Sequence, residues 1–153
     1  EPMSTRLTQS GMLIGSPEYM APEQAQGRRD VDALADVWAL SILLYELVAG
    51  ATPFARGTPF ETLSAVLSEE PRLPDELRAE PALWLILRRG LERERSERWA
   101  SVNDLGAALA AWAITKGIEA DAAGSSLAAC WLRRRQAGGP AYGDTAHERA
   151  KGD

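Results

Sequence analysis

The segment from Leu34 to Gly50 constrains the fold of this chain more than any other. From Asp36 to Ala49 nearly every residue is apolar, so a helix there has no face left for water. Such a helix is stable when it is buried inside a larger core, and 14 residues would run ~21 Å. Gly50 supplies its C-terminal stop. A membrane crossing needs about 20 mostly apolar residues, and this segment is shorter and interrupted by Asp36 and Glu46. The core of a domain is the better reading.

Composition agrees. The chain has 153 residues, 45% of them hydrophobic, which is enough for one domain with a real core. A net charge of −5 argues against nucleic acid as a partner, since such binders normally carry a basic excess. One cysteine, Cys130, excludes an internal disulfide framework and points to a reducing, cytoplasmic compartment. One histidine, His147, excludes a His-rich metal site or a His-paired nucleophile within the chain. The start at Glu1, Pro2 and Met3 leads into a polar stretch without the pattern of a secretory signal. Neither Cys130 nor His147 is assigned a function.

Residues 1–16 read as a hydroxyl-rich loop. A short Pro-led turn or helix is expected at Pro22. Thr58-Pro59-Phe60-Glu61 predicts a helix start, with Thr as N-cap, Pro at the first position and Glu completing a capping box. Phe60, Leu63 and Leu67 follow at helical spacing. Leu83, Ile86, Leu87, Gly90 and Leu91 fall on one face of the next helix. Ser101 can cap a last helix with Leu105, Ala108, Leu109 and Trp112 as its inner stripe. No alternating strand pattern of useful length occurs, so the body reads as all-helical from about Pro22 to Ile114. After 115 the composition turns glycine-rich, with one short helix expected over Ser125–Arg135.

The run Gly15-Ser16-Pro17-Glu18-Tyr19-Met20-Ala21-Pro22-Glu23 resembles the end of the activation segment of Ser/Thr protein kinases. Asp36-Val37-Trp38-Ala39-Leu40 is similar to the start of the central helix of the kinase C-lobe. Tyr45-Glu46-Leu47 and Gly50-Ala51-Thr52-Pro53-Phe54 match that helix's end and the loop after it. Leu91-Glu92-Arg93 and Arg98 resemble the segment whose Arg pairs with the Glu of Ala-Pro-Glu. Motifs in this order over about residues 8–112 are far more specific than any one alone, and their style is bacterial. Three positions depart from the pattern: Ser41 replaces a usual Gly, Leu34 a commonly polar residue, and Glu94-Arg95 a usual Asp-Pro.

The resemblance implies a mainly α fold: a protein-kinase-like C-lobe helical fragment lacking the N-lobe and catalytic loop. Residues 1–23 would be the activation segment and substrate-binding loop, 24–114 the helical subdomain, and 115–153 a variable tail. Gly15, Ser16, Pro17 and Tyr19 would form the substrate-binding loop. Thr8 and Ser10 are ordinary loop hydroxyls or regulatory phosphorylation sites, and the surrounding match favours the second. Glu23 and Arg98 would form a buried structural ion pair, against the alternative of two solvated charges. Asp36 would anchor the central helix, or act only as a carboxylate near a helix N-terminus. Trp38, Trp84 and Trp99 are expected to pack.

The Gly-rich loop, strand Lys, catalytic Asp and Asp-Phe-Gly that phosphoryl transfer requires are missing. The resemblance therefore implies no catalytic residue and no metal ligand in this chain, with ATP and Mg²⁺ bound only by an intact parent. Its partners would be protein Ser/Thr substrates and the missing N-terminal half of the domain. The other reading is a catalytically dead kinase-like interaction module, or a substrate of another kinase.

Overall fold

The computed structural model describes residues 16–132. A 3-10 turn over Pro17–Tyr19 opens the described chain. Five α-helices follow: α1 Pro22–Ala25, α2 Leu34–Ala49, α3 Pro59–Ser68, α4 Pro81–Gly90 and α5 Val102–Thr115. Two further 3-10 turns lie at Asp75–Leu77 and Arg95–Glu97. Among the described residues there is no strand, only an isolated bridge between Ala120 and Ser126. The chain divides into two compact units at Leu109/Ala110, inside α5.

In the first unit, α2 is the centre. It begins two residues before Asp36, because the Asp32 carboxylate accepts the Leu34 N–H at 2.9 Å and starts the helix there. Gly50 ends it at φ 75°, a left-handed conformation that glycine adopts without strain, and donates its N–H to the Glu46 carbonyl at 2.8 Å. Trp38, Ile42 and Tyr45 of α2 join Phe54, Ala65, Val66 and Leu91 in one core cluster. Trp38 stacks on Phe54 with ring centroids 5.6 Å apart and planes 9° from parallel, and Tyr45 meets Trp84 edge-on at 6.3 Å.

The helix is not covered all round in these residues. Leu43 is 44% exposed and Leu47 73% exposed, so uniform apolarity shows that every face can be buried, not that every face is.

Helix α3 starts as its sequence dictates. Thr58 Oγ1 accepts the Glu61 N–H at 3.2 Å, and Glu61 accepts the Thr58 N–H at 3.0 Å. Its inward residues are Thr62, Ala65 and Val66. The Phe60–Leu63–Leu67 spacing therefore does not mark the buried face: Phe60 is 82% exposed. On α4, Leu83, Leu87 and Gly90 are buried. Ser41 meets Gly90 where α2 and α4 pack; a Cβ at Gly90 would come within 2.8 Å of Ser41 Cβ. Ser41 keeps its own hydroxyl satisfied by donating to the Val37 carbonyl at 2.8 Å. Ser101 caps α5 by accepting the Asp104 N–H at 3.1 Å, and the buried residues of α5 in this unit are Leu105 and Ala107. Ala108 and Leu109 are only partly buried.

In the second unit, Asp121 Oδ1 accepts the Ala123 and Ser125 N–H groups at 2.9 and 2.8 Å, closing a turn. A five-residue π-helical turn then spans Ala128–Leu132. It begins beyond Ser125 because that residue is held in the Asp121 turn, and Arg133 to Arg135 lie outside the described residues.

Candidate functional site

The Pro17–Tyr19 turn is built by its own backbone and then tied down from outside. Ser16, extended at φ −81° and ψ 119°, accepts the Tyr19 N–H at 3.1 Å. Pro17 accepts the Met20 N–H at 3.3 Å. The Tyr19 hydroxyl donates to Glu46 Oε2 on the last turns of α2. That hydrogen bond, with some burial and the nearby carboxylates, raises the Tyr19 hydroxyl above its ordinary pKa. Thr52, itself buried, donates to Glu18 Oε2 at 3.3 Å. Two hydroxyl–carboxylate bonds thus fasten the turn to the end of α2 and the loop after it. Ser16 itself is exposed.

Behind the turn the chain dives into the core. Ala21 is 0% exposed, and Pro22 and Glu23 are buried in α1. Seventy-five residues later, Arg98 reaches the same point. Its Nη1 donates to Glu23 Oε1 at 2.9 Å and its Nη2 to Glu23 Oε2 at 2.8 Å, a bidentate pair. The remaining donors go to carbonyls: Nε to Glu92 at 2.7 Å, Nη1 to Leu34 at 3.0 Å and Nη2 to Arg93 at 3.2 Å. All five guanidinium N–H groups are therefore engaged. The guanidinium also lies 5.1 Å from the centroid of the Trp38 ring. Burial pushes the Glu23 carboxyl up, but the Arg98 and backbone hydrogen bonds and the positive charges of Arg98 and Arg95 outweigh it and hold it below its ordinary value.

A second, exposed network lies beside this pair. Arg95 donates to the Asp30 carbonyl at 2.7 Å, to Asp30 Oδ2 at 2.8 Å and to Asp32 Oδ2 at 3.1 Å. Arg28 clasps Asp30 through Nε and Nη2. Hydrogen bonds from Arg28 first, then Arg95, hold the Asp30 carboxyl well below the usual carboxylate range. Arg95 thus ties the turn before Arg98 to the loop before α2, at the position where the sequence departs from an Asp-Pro pattern.

Of the residues singled out in the sequence, the structure brings Glu23 and Arg98 together and places Ser16, Pro17 and Tyr19 in one turn. Asp36 is exposed in the first turn of α2, and the carboxylate that accepts a backbone N–H at the helix start, that of Leu34, is Asp32. Gly15, Thr8 and Ser10 lie outside the described residues. Glu46, Glu18 and Thr52 were not singled out as site residues; Glu46 and Thr52 stand inside quoted motifs, but the contacts they make are 27 and 34 residues away in sequence. Among the described residues no group of three His, Cys, Asp or Glu side chains could hold a metal ion.

A mainly helical body built round one central apolar helix, with a buried Arg–Glu pair beside it, is the architecture of a protein-kinase-like C-lobe fragment. Residues 3–109 match the protein kinase domain, and the chain belongs to that family. It is 41% identical over 100 residues to the serine/threonine-protein kinase PkaA of Streptomyces coelicolor, covering 65% of this chain and 18% of that protein. It is 35% identical over 138 residues to the serine/threonine-protein kinase AfsK of the same organism, covering 88% of this chain and 16% of that protein. The serine/threonine-protein kinase pkn3 of Myxococcus xanthus is 36% identical over 110 residues, 69% of this chain and 20% of that protein. The chain thus spans a fifth or less of the length of these curated relatives.

Proposed function

We propose that this chain is the activation-segment and C-lobe part of a bacterial serine/threonine protein kinase. Its parent transfers the γ-phosphate of ATP, with Mg²⁺, to Ser or Thr hydroxyls of proteins. The observation that carries the reading is the Pro17–Tyr19 turn, fastened to α2 through Tyr19–Glu46 and backed by the Glu23–Arg98 pair. In this role Gly15, Ser16, Pro17 and Tyr19 shape the groove for the acceptor peptide, and the ion pair holds that groove on the helical core. Ser16 carries a hydroxyl where tyrosine kinases carry Pro, which favours Ser/Thr acceptors. Thr8 and Ser10 are the sites whose phosphorylation would regulate the loop. Asp36, exposed on α2, is the carboxylate that would receive the catalytic loop. Residues 115–153 form the variable tail.

The donor set present does not fit ATP–Mg²⁺. The only lysines are Lys116 and Lys151, and among the described residues no group of three or more His, Cys, Asp or Glu side chains could hold a metal ion. On this reading the chain alone transfers no phosphoryl group. No helix among the described residues is long and apolar enough to cross a membrane.

The same donor set favours a second reading, a kinase-like interaction module without catalysis. The DNA immediately upstream of the Glu1 codon separates the two. A continuous frame encoding a Gly-rich loop, a strand Lys, His-Arg-Asp and Asp-Phe-Gly is the expected result. Stop codons in that frame, or a start codon close to Glu1, would overturn the kinase reading in favour of the module.

A further inference from the structure

A cavity of about 550 Å³ opens between α1, the end of α3 and the turn before Arg98. Arg28, Arg93 and Arg95 line it, with Pro22 and Leu67 as an apolar wall. Of the two carboxylates in the lining, Glu23 is already held by both Nη groups of Arg98. Three guanidinium groups therefore stand against one other carboxylate, the exposed Glu94.

The three arginines are held in place without being saturated. Arg28 commits Nε and Nη2 to Asp30. Arg95 commits Nη1 to the Asp30 carbonyl and to Asp32, and Nη2 to Asp30 Oδ2. Arg93 commits Nη2 to Glu70 at 2.9 Å. Asp30, Asp32 and Glu70 are outside the lining, so they neutralise part of the charge from behind and fix each planar fork. Arg28 Nη1 and Arg95 Nε stay outside those bonds. Arg93 Nη1 is enclosed with no hydrogen-bond partner among the described residues. An enclosed cationic N–H without an acceptor is costly and calls for a partner. The Arg93 side chain is 38% exposed, so it can turn toward an acceptor without disturbing the core.

The chemistry of these donors selects the ligand. Guanidinium forks match the oxygens of a phosphate bidentately, and a dianion suits a lining with more positive groups than negative. Cavities of about 300–1,000 Å³ are of small-molecule size, so a bare phosphate leaves this one mostly unfilled. Leu67 and Pro22 offer a wall for a carbon group attached to the phosphate. We propose that the cavity is a binding site for a phosphate monoester, with Arg28, Arg93 and Arg95 on its oxygens and Leu67 on its organic group. The site is independent of the kinase reading, since no residue of the Pro17–Tyr19 turn lines it.

Isothermal titration of the full-length polypeptide at low salt, with inorganic phosphate and phenyl phosphate as probes, tests the assignment. Phenyl phosphate is expected to bind at least about threefold more tightly, because its ring covers Leu67. Arg28→Gln combined with Arg93→Gln should weaken both probes at least about tenfold. The two ion pairs it removes are surface pairs worth little to stability, so a cooperative melt shows that the variant is folded. Glu94→Gln changes an exposed side chain and removes the opposing charge, and should tighten both probes roughly twofold or more. Three results would overturn the site: no binding of phenyl phosphate at millimolar concentration, binding untouched by the arginine double variant, or binding weakened by Glu94→Gln. Inorganic phosphate binding as tightly as phenyl phosphate would overturn the monoester and leave an adventitious ion only.

Discussion

Replacing Glu23 by Gln alters a fully enclosed ion pair of the first unit while keeping its shape. The Arg98 side chain is 0% exposed and that of Glu23 3%. In the wild type the carboxylate takes two of the five guanidinium bonds, and the carbonyls of Leu34, Glu92 and Arg93 take the other three. With Gln, one oxygen still accepts, but the amide NH₂ faces an Arg98 donor and the guanidinium charge stays buried. Breaking one side of a buried pair costs about 3–5 kcal/mol. The three carbonyl bonds survive and keep the cation partly compensated, which puts the expected loss near about 3 kcal/mol. At 4–8 °C per kcal/mol for a unit of this size, the melting temperature should fall by about 12–24 °C. Arg98→Ala is more severe. It strands the buried Glu23 carboxylate and takes away the donor to the carbonyls of Leu34, Glu92 and Arg93, and a buried charge left unpaired costs about 3–5 kcal/mol against a total stability of about 5–15 kcal/mol. That variant is expected to show no cooperative transition. Circular-dichroism melts at pH 7, checked by urea titration of tryptophan fluorescence, read both effects. A Glu23→Gln variant melting within about 3 °C of wild type would refute the reasoning, because the pair would then have to be solvated.

The same pair sets an acid limit. The Glu23 carboxyl is depressed in the fold, so its contribution is complete above the unfolded value of about 4.3 and is lost as pH falls through the lower folded value. Melts between pH 7 and 3 should show wild-type stability falling below about pH 4 and the gap to Glu23→Gln closing there. Gly90→Ala would gain about 1 kcal/mol of helix propensity, yet its methyl would overlap Ser41. A net loss of about 1–3 kcal/mol in urea unfolding is expected, recovered when Ser41→Gly is added; a stabilised Gly90→Ala would contradict the close packing. Tyr19→Phe keeps the ring and removes the bond to Glu46. Amide exchange over Ser16–Met20 should quicken with no change in the global unfolding midpoint, and unchanged exchange would show that the bond does not hold the turn.

Local chemistry was readable from the sequence wherever it is complete within a few residues. The start of α3 is written in Thr58, Pro59 and Glu61, the stop of α2 in Gly50, and the start of α5 in Ser101, and the structure has each. The start of α2 is less legible: Asp36 is the carboxylate beside the apolar run, while the one that bonds the Leu34 N–H, two residues earlier, is Asp32. Periodicity was a poorer guide to burial. On α3 it pointed to Phe60, Leu63 and Leu67, but small and β-branched residues were what the approach to α1 and the Pro17–Tyr19 turn could accommodate. Contacts between distant residues left no local signal at all. Nothing near Ser41 announces Gly90, and nothing near Tyr19 announces Glu46. Glu23 and Arg98 could be linked only through a family pattern, since no composition or spacing rule joins residues 75 positions apart.

The central claim, that this chain carries the substrate loop and helical core of a serine/threonine kinase but not its chemistry, is tested most directly by a paired transfer assay. The 153-residue chain and the complete polypeptide are each mixed with γ-labelled ATP, Mg²⁺ and peptides offering Ser, Thr or Tyr. The complete polypeptide should label Ser and Thr peptides and leave Tyr unlabelled, and the chain alone should label none. Turnover by the chain alone, or a complete polypeptide that transfers nothing, would contradict it.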